Sequence, residues 1–252
     1  FFPICTNILL LLGVFFKPDI IYYSFFGFNN IITGGRFYGL NNESMAILLT
    51  TSIITYFWLR EKINNKLISL LLLFIYFPVN NYASNFGGFI TSLALLAMLL
   101  YTTIFNNRFD KKNIFVLVAI GITIFILTFM IDINSSSNGH AESFFSRVSI
   151  LGIYEFFDMI IKKVKQLVLI AISPPWSIAL IGQVYFISKF RMNEKEVIEK
   201  AKEKNPDLIA QLLIIFISSI IAFLINDTGA VAFVYMNTFV IAKLISIRAS
   251  YQ

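Results

Sequence analysis

Long apolar runs alternate with short polar interruptions along this chain, and most of the runs have membrane length. A helix needs about 20 mostly apolar residues to cross a bilayer. Such runs read at 1–16, 44–59, 67–78, 89–105, 114–131, 167–190, 208–225 and 229–247, which predicts about eight transmembrane helices. The third is the shortest, so tilting or a re-entrant course is expected there. "RVSILGIYEFFDMIIKKVK", Arg147 to Lys165, mixes charges into an apolar background. It predicts an interfacial amphipathic helix near 147–165 rather than a span. "NEKEVIEKAKEKNPD" alternates charge sign at helical spacing and predicts a solvated, charged cytoplasmic helix or loop over 191–207. The expected fold is an all-α integral membrane protein, one polytopic domain over 1–252, with a re-entrant or interrupted segment near 79–88.

Composition makes lipid the expected solvent. Of 252 residues, 58% are apolar and 13% charged, more apolar surface than a soluble domain of this length can bury. A net charge of +6 suggests nucleic acid in a soluble protein. Here the basic residues flank apolar runs, the pattern that sets membrane orientation, which argues against a nucleic-acid partner. With 60–66, 106–113, 189–205 and the C-terminal end in the cytoplasm, 14 of the 20 basic residues lie inside. The main exception is "KKVK" at 162–165. Cys5 is the single cysteine, so there is no disulfide framework and no thiol metal site. The opening "FFPICTNILLLLGVFF" lacks the basic start and small-residue cleavage site of a signal peptide. The numbering is therefore expected to start inside a longer protein or at the first ordered residue.

In this topology the unusual polar clusters all fall at the outer ends of the helices. In "GGRFYGLNNE" (34–43), Arg36 offers a planar fork for phosphate or carboxylate. Glu43 reads as its ion-pair partner, a counter-ion or a base, and Tyr38 as a headgroup-level anchor or a substrate contact. "NNYASNFGG" (80–88) interrupts two apolar runs, so Asn85 reads either as lining a re-entrant loop or as an ordinary turn residue. "NGHAESFFSR" (138–147) holds the only histidine, His140, with Glu142 and Arg147. That histidine reads as a solvated loop residue or as an acid–base group working near neutral pH. In "NDTG" (226–229) an acid, Asp227, follows Asn226 between two unbroken runs. A tight turn explains the sequence, but an embedded acid is also a functional candidate. Glu43, Asp132, Glu142 and Asp227 also read as oxygen ligands for a hard divalent ion, although no spacing demands a metal, and the sequence leaves any cofactor unknown.

"GGRFYGLNNESMAILL", "SNFGG" and "NDTG" together resemble, in order, the signatures of a poorly characterised group of bacterial multi-pass envelope proteins carrying a GARFYGIGNE-like motif. More distantly, the layout resembles the O-antigen ligase superfamily of lipid-linked glycan ligases. Asn41 stands where the envelope signature has glycine, and the ligases' functional histidine lies in a large late outer loop, a placement that does not fix it on His140. The resemblance implies an outer-face site using Arg36, Asn42, Glu43, Asn85, Arg147 and Asp227, in the cytoplasmic (inner) membrane of a bacterium.

The expected function is then a cell-envelope glycan or polymer ligase or transferase. Arg36 and Arg147 would bind the pyrophosphate of a polyprenyl-linked glycan donor; Glu43, His140 or Asp227 would activate the acceptor hydroxyl. Tyr38, Asn42, Asn85 and Asn226 complete the substrate-binding set, and membrane lipid is the surrounding partner. One alternative is a transporter or flippase for a lipid-linked or anionic substrate, which requires polar groups in the middles of the spans; the inner halves read as apolar. The other is a non-catalytic anchor subunit for an extracytoplasmic domain.

Overall fold

The computed structural model of the protein describes residues 2–16, 41–63, 86–103, helical stretches between 112 and 126, 149–150, 152–226 and 228–251. Among these residues the chain is almost entirely helical, without a strand. The helices are α1 (Phe2–Phe16), α2 (Asn42–Lys62), α3 (Phe86–Thr103), α4 (Ile153–Ile172), α5 (Trp176–Asn193), α6 (Lys195–Lys204), α7 (Pro206–Ile225) and α8 (Gly229–Tyr251). Two of them, α7 and α8, are long and apolar enough to cross a membrane, and the bent pair α4–α5 makes a third when taken as one span. Shorter apolar stretches run over Phe2–Gly13 and Gly87–Thr102. Eight spans are therefore not shown. The run expected at 67–78 lies outside the described residues.

α7 and α8 form an antiparallel hairpin on which α2, α3 and α5 pack, with α1 against α2. α2 is the most enclosed helix, and its sequence reflects that. Thr50, Thr51, Ser52 and Thr55 are buried along with Met45, Leu49 and Ile53. A helix surrounded by protein can carry hydroxyls that a lipid-facing helix avoids, so α2 is less apolar than α7. Its start is fixed locally. Asn41 caps it, with Oδ1 accepting from Ser44 N at 2.8 Å, and Glu43 lies in the first turn, where negative charge suits the helix dipole. α7 begins the same way: Asn205 Oδ1 accepts from Leu208 N at 3.0 Å, followed by Pro206 and Asp207.

Two sequence expectations are corrected here. The run over 167–190 is not one straight helix. It breaks at Ser173-Pro174-Pro175 between α4 and α5, with a bend of 75°, because consecutive prolines remove backbone donors and clash with a preceding helical turn. The amphipathic element consequently extends to Ile172, well past 165. The charged helix α6 is not wholly solvated either. It packs on α7 and α8, burying Val197 and Ala201, four residues apart and hence on one face.

The two ends of the bundle differ in chemistry. At one end, Arg60 Nη1 lies 3.7 Å from Asp207 Oδ1, Arg248 Nε lies 3.1 Å from Glu194 Oε1, and Lys204 Nζ sits over the Tyr251 ring at 5.2 Å. These contacts tie the end of α2 to the start of α7, and the start of α6 to the end of α8. The start of α2, the start of α3 and the α7–α8 turn are all at the opposite end.

Between the ends runs a buried polar layer. Asn7 Nδ2 donates to Ser52 Oγ at 2.9 Å and to Thr51 Oγ1 at 3.3 Å, linking α1 to α2. Asn237 Nδ2 donates to Ser219 Oγ at 2.7 Å and to Phe233 O at 2.9 Å, linking α8 to α7. At 1.5 Å per residue, Thr50, Ser219 and Asn237 lie roughly 9–12 Å along their helices from the α7–α8 turn end.

Candidate functional site

The described residues of three of the four polar clusters, 41–43, 86–88 and Asn226 with Thr228 and Gly229, converge at that turn end. The α7–α8 connection is held by backbone bonds from Asn226 N to Ala222 O at 3.1 Å, Gly229 N to Asn226 O at 3.1 Å and Val231 N to Thr228 O at 3.0 Å. The first turn of α2 is pinned to it by Asn42, whose Nδ2 donates to Thr228 Oγ1. The start of α3 is pressed against it as well. A Cβ added to Gly87 would fall 2.0 Å from Asn226 Oδ1 and 2.6 Å from its Cγ, so the asparagine amide lies directly on the glycine backbone. Only glycine permits that approach.

Asn42 and Asn226 are both buried, and both are engaged within the protein. Asn42 bonds Thr228, and Asn226 Nδ2 donates to Ala222 O at 2.9 Å. Each amide first holds the site together, and what it offers a ligand is its remaining hydrogen-bonding capacity. Glu43 is different. It is only partly covered, one residue before the span expected over 44–59, and burial raises its carboxyl above the ordinary carboxylate range, against a smaller lowering by its own backbone hydrogen bond. A carboxylate with raised affinity for protons is suited to general-base chemistry.

Two aromatic residues that the sequence reading passed over extend the site. The Tyr235 ring on α8 packs 6.3 Å from the Trp176 ring at the start of α5. That contact joins α8, about two turns from its start at Gly229, to the α4–α5 bend. Tyr235 and Trp176 sit inside apolar runs, where an aromatic reads as lipid-facing bulk. Only the helix pairing reveals them. Thr228 was likewise legible only as a turn residue.

Of the residues assigned from sequence, Asn42, Glu43 and Asn226 are brought together. Arg36, Tyr38, Asn85, His140, Arg147 and Asp227 lie outside the described residues. Among the described residues, no three His, Cys, Asp or Glu side chains gather closely enough to hold a metal ion. No protein-family model, curated protein or solved structure matches the chain.

Proposed function

We propose that the protein is a multi-pass protein of a bacterial cytoplasmic membrane whose turn end faces outward and transfers a glycan from a polyprenyl-pyrophosphate donor. The observation that carries this reading is the meeting of Asn42, Gly87, Asn226 and Thr228 beside a partly buried carboxylate, Glu43, at one end of apolar helices. The distant resemblance of the motif layout to that of lipid-linked glycan ligases supports it. In the proposed reaction an acceptor hydroxyl oxygen bonds to the anomeric carbon. The bond from that carbon to the pyrophosphate oxygen breaks, polyprenyl pyrophosphate departs, and the hydroxyl proton passes to Glu43. Arg36 and Arg147 offset the charge gathering on the leaving group, while His140 and Asp227 are the other candidate bases. Tyr38 and Asn85 contact the substrate.

The test is transfer from a synthetic polyprenyl-pyrophosphate sugar by the purified chain, comparing Glu43→Gln and Arg36→Ala with the parent. Glu43→Gln is expected to lower the rate on the order of 10²- to 10⁴-fold while raising the unfolding temperature at neutral pH. The sign follows from the raised carboxyl. A carboxylate harder to ionise in the folded state costs stability as pH rises through its folded value. The gain in Glu43→Gln should therefore fade as pH falls below the ordinary carboxylate range. Unchanged transfer in both variants would favour the anchor-subunit reading.

A transport reading has one observation in its favour, the buried polar layer of α2, α7 and α8. Buried hydroxyls and amides also join membrane helices without any transported substrate. Uptake of a fluorescent lipid-linked donor into vesicles that show no transfer would select transport.

A further inference from the structure

We propose that α4 is a docking helix for anionic lipid, lying in the membrane interface beside the Glu43 site and gathering phosphate-bearing headgroups there. The inference rests on the membrane reading above and deepens it by naming the lipid class.

The geometry begins with α5, which runs alongside α8. Trp176 packs on Tyr235, Gln183 Nε2 donates to Val234 O at 3.0 Å, and α5 ends at Asn193, beside the Glu194–Arg248 pair. If α8 crosses the bilayer, so does α5. The 75° bend then lays α4 within about 15° of the membrane plane, taking the membrane normal along α5. Its depth follows as well. Tyr235 is roughly 9 Å along α8 from Gly229, within the depth of about 5–10 Å at which interfacial helices bury their apolar faces.

The faces of α4 agree with this placement. Tyr154, Phe157, Ile161, Val164, Val168 and Ile172 are spaced three and four apart and point away from the protein; Tyr154 is 85% exposed and Ile172 65%. On water-soluble proteins such a face is covered by protein; on a helix continuous with a span, acyl chains cover it. The charges are ordered along the helix. Glu155 and Asp158 occupy its first turns, and Lys162, Lys163 and Lys165 follow toward the bend, all three exposed. Asp158 Oδ2 holds Lys162 Nζ at 2.5 Å. Lys163 and Lys165 are the two nearest the bend in sequence; Lys165, four residues after Ile161 and three before Val168, shares the apolar face and reaches the headgroups by snorkelling. These lysines are the cluster that breaks the inside-positive pattern of the chain. An outer-leaflet basic patch on an interfacial helix is explained if its counter-charge is lipid phosphate.

The test uses Trp176 as the reporter. The chain has two tryptophans, so a Trp58→Phe background leaves Trp176 alone at the bend. The full chain is reconstituted in vesicles containing equal fractions of phosphatidylglycerol and phosphatidylcholine, with one or the other brominated. Brominated phosphatidylglycerol is expected to quench Trp176 at least about threefold more effectively, since each lysine near an anionic surface favours it about fivefold. Lys163→Gln with Lys165→Gln should erase the preference, high salt should weaken it, and Lys195→Gln with Lys200→Gln on α6 should leave it unchanged. Equal quenching by both lipids overturns the anionic selectivity while leaving α4 in the interface. Quenching by neither removes the bend from lipid and overturns the proposal entirely. Neither outcome depends on glycan transfer, which the donor assay reads separately.

Discussion

Gly229→Ala is expected to cost the fold more than any other single methyl added at the turn end. An added Cβ would fall 2.1 Å from Phe223 O, 2.6 Å from Phe223 C and 2.7 Å from Ala222 O. All three are backbone atoms of the last turn of α7, so no side chain can rotate away. The α7–α8 connection must open, and with it the bonds from Asn226 N to Ala222 O and from Gly229 N to Asn226 O. Overpacking of a well-filled site costs about 1–3 kcal/mol. Adding the broken turn bonds, the loss should reach about 3 kcal/mol or more. Thermal unfolding in detergent checks this, with Gly182→Ala as the control. Nothing lies within 4 Å of a Cβ at Gly182, and alanine in a helix interior gains about 0.5–1 kcal/mol over glycine.

Gly87→Ala should also destabilise, by about 1–3 kcal/mol, for a reason that can be separated from the first. The atoms in its way are the Asn226 side chain, with Oδ1 at 2.0 Å, Cγ at 2.6 Å and Nδ2 at 3.2 Å. That side chain can move, but only by leaving a buried position and its bond to Ala222 O. Asn226→Ala removes the obstruction, so the double variant should resemble Asn226→Ala alone instead of summing both losses. A double-variant cycle is expected to give a coupling of about 1 kcal/mol or more. Additive losses would mean that the start of α3 and the α7–α8 turn do not meet, and the site would lose one of its three walls.

The parts of the fold legible in the sequence are those where lipid is the neighbour. α7 and α8 were readable because "LLIIFISSIIAFLI" and the run after Gly229 satisfy a bilayer by themselves. α2 was readable in position but not in role. Its Thr50, Thr51 and Ser52 face other helices, and hydropathy cannot tell a protein neighbour from a lipid one. The bend at Ser173-Pro174-Pro175 was written plainly, yet an averaging window runs through it because both flanks are apolar. The mixed pattern of α6 was read as solvated because its charges outnumber Val197 and Ala201, the two residues that pack.

The site divides in the same way. Asn42, Glu43 and Asn226 stood out because polar residues at the ends of apolar runs are conspicuous, and the turn chemistry of "NDTG" tied two runs together. Tyr235, Trp176 and Asn237 did not, because a single aromatic or amide within a span has the same local sequence whether it faces lipid or a partner helix. Which partner it meets depends on helix rotation, fixed by contacts far apart in the chain, such as Asn42 with Thr228.

In the proposed function the turn end, with its converged polar groups, is one outward-facing site and the ion-paired end faces the cytoplasm. Labelling of single cysteines in intact cells tests it most directly. On a Cys5→Ser background, a cysteine at Thr228 would mark the turn, and cysteines at Glu203 and Ser250 the opposite end. An impermeant maleimide is expected to label Thr228 in intact cells, and Glu203 and Ser250 only after the membrane is opened. Protection of Thr228, or labelling of Glu203 or Ser250, in intact cells would overturn the proposed orientation.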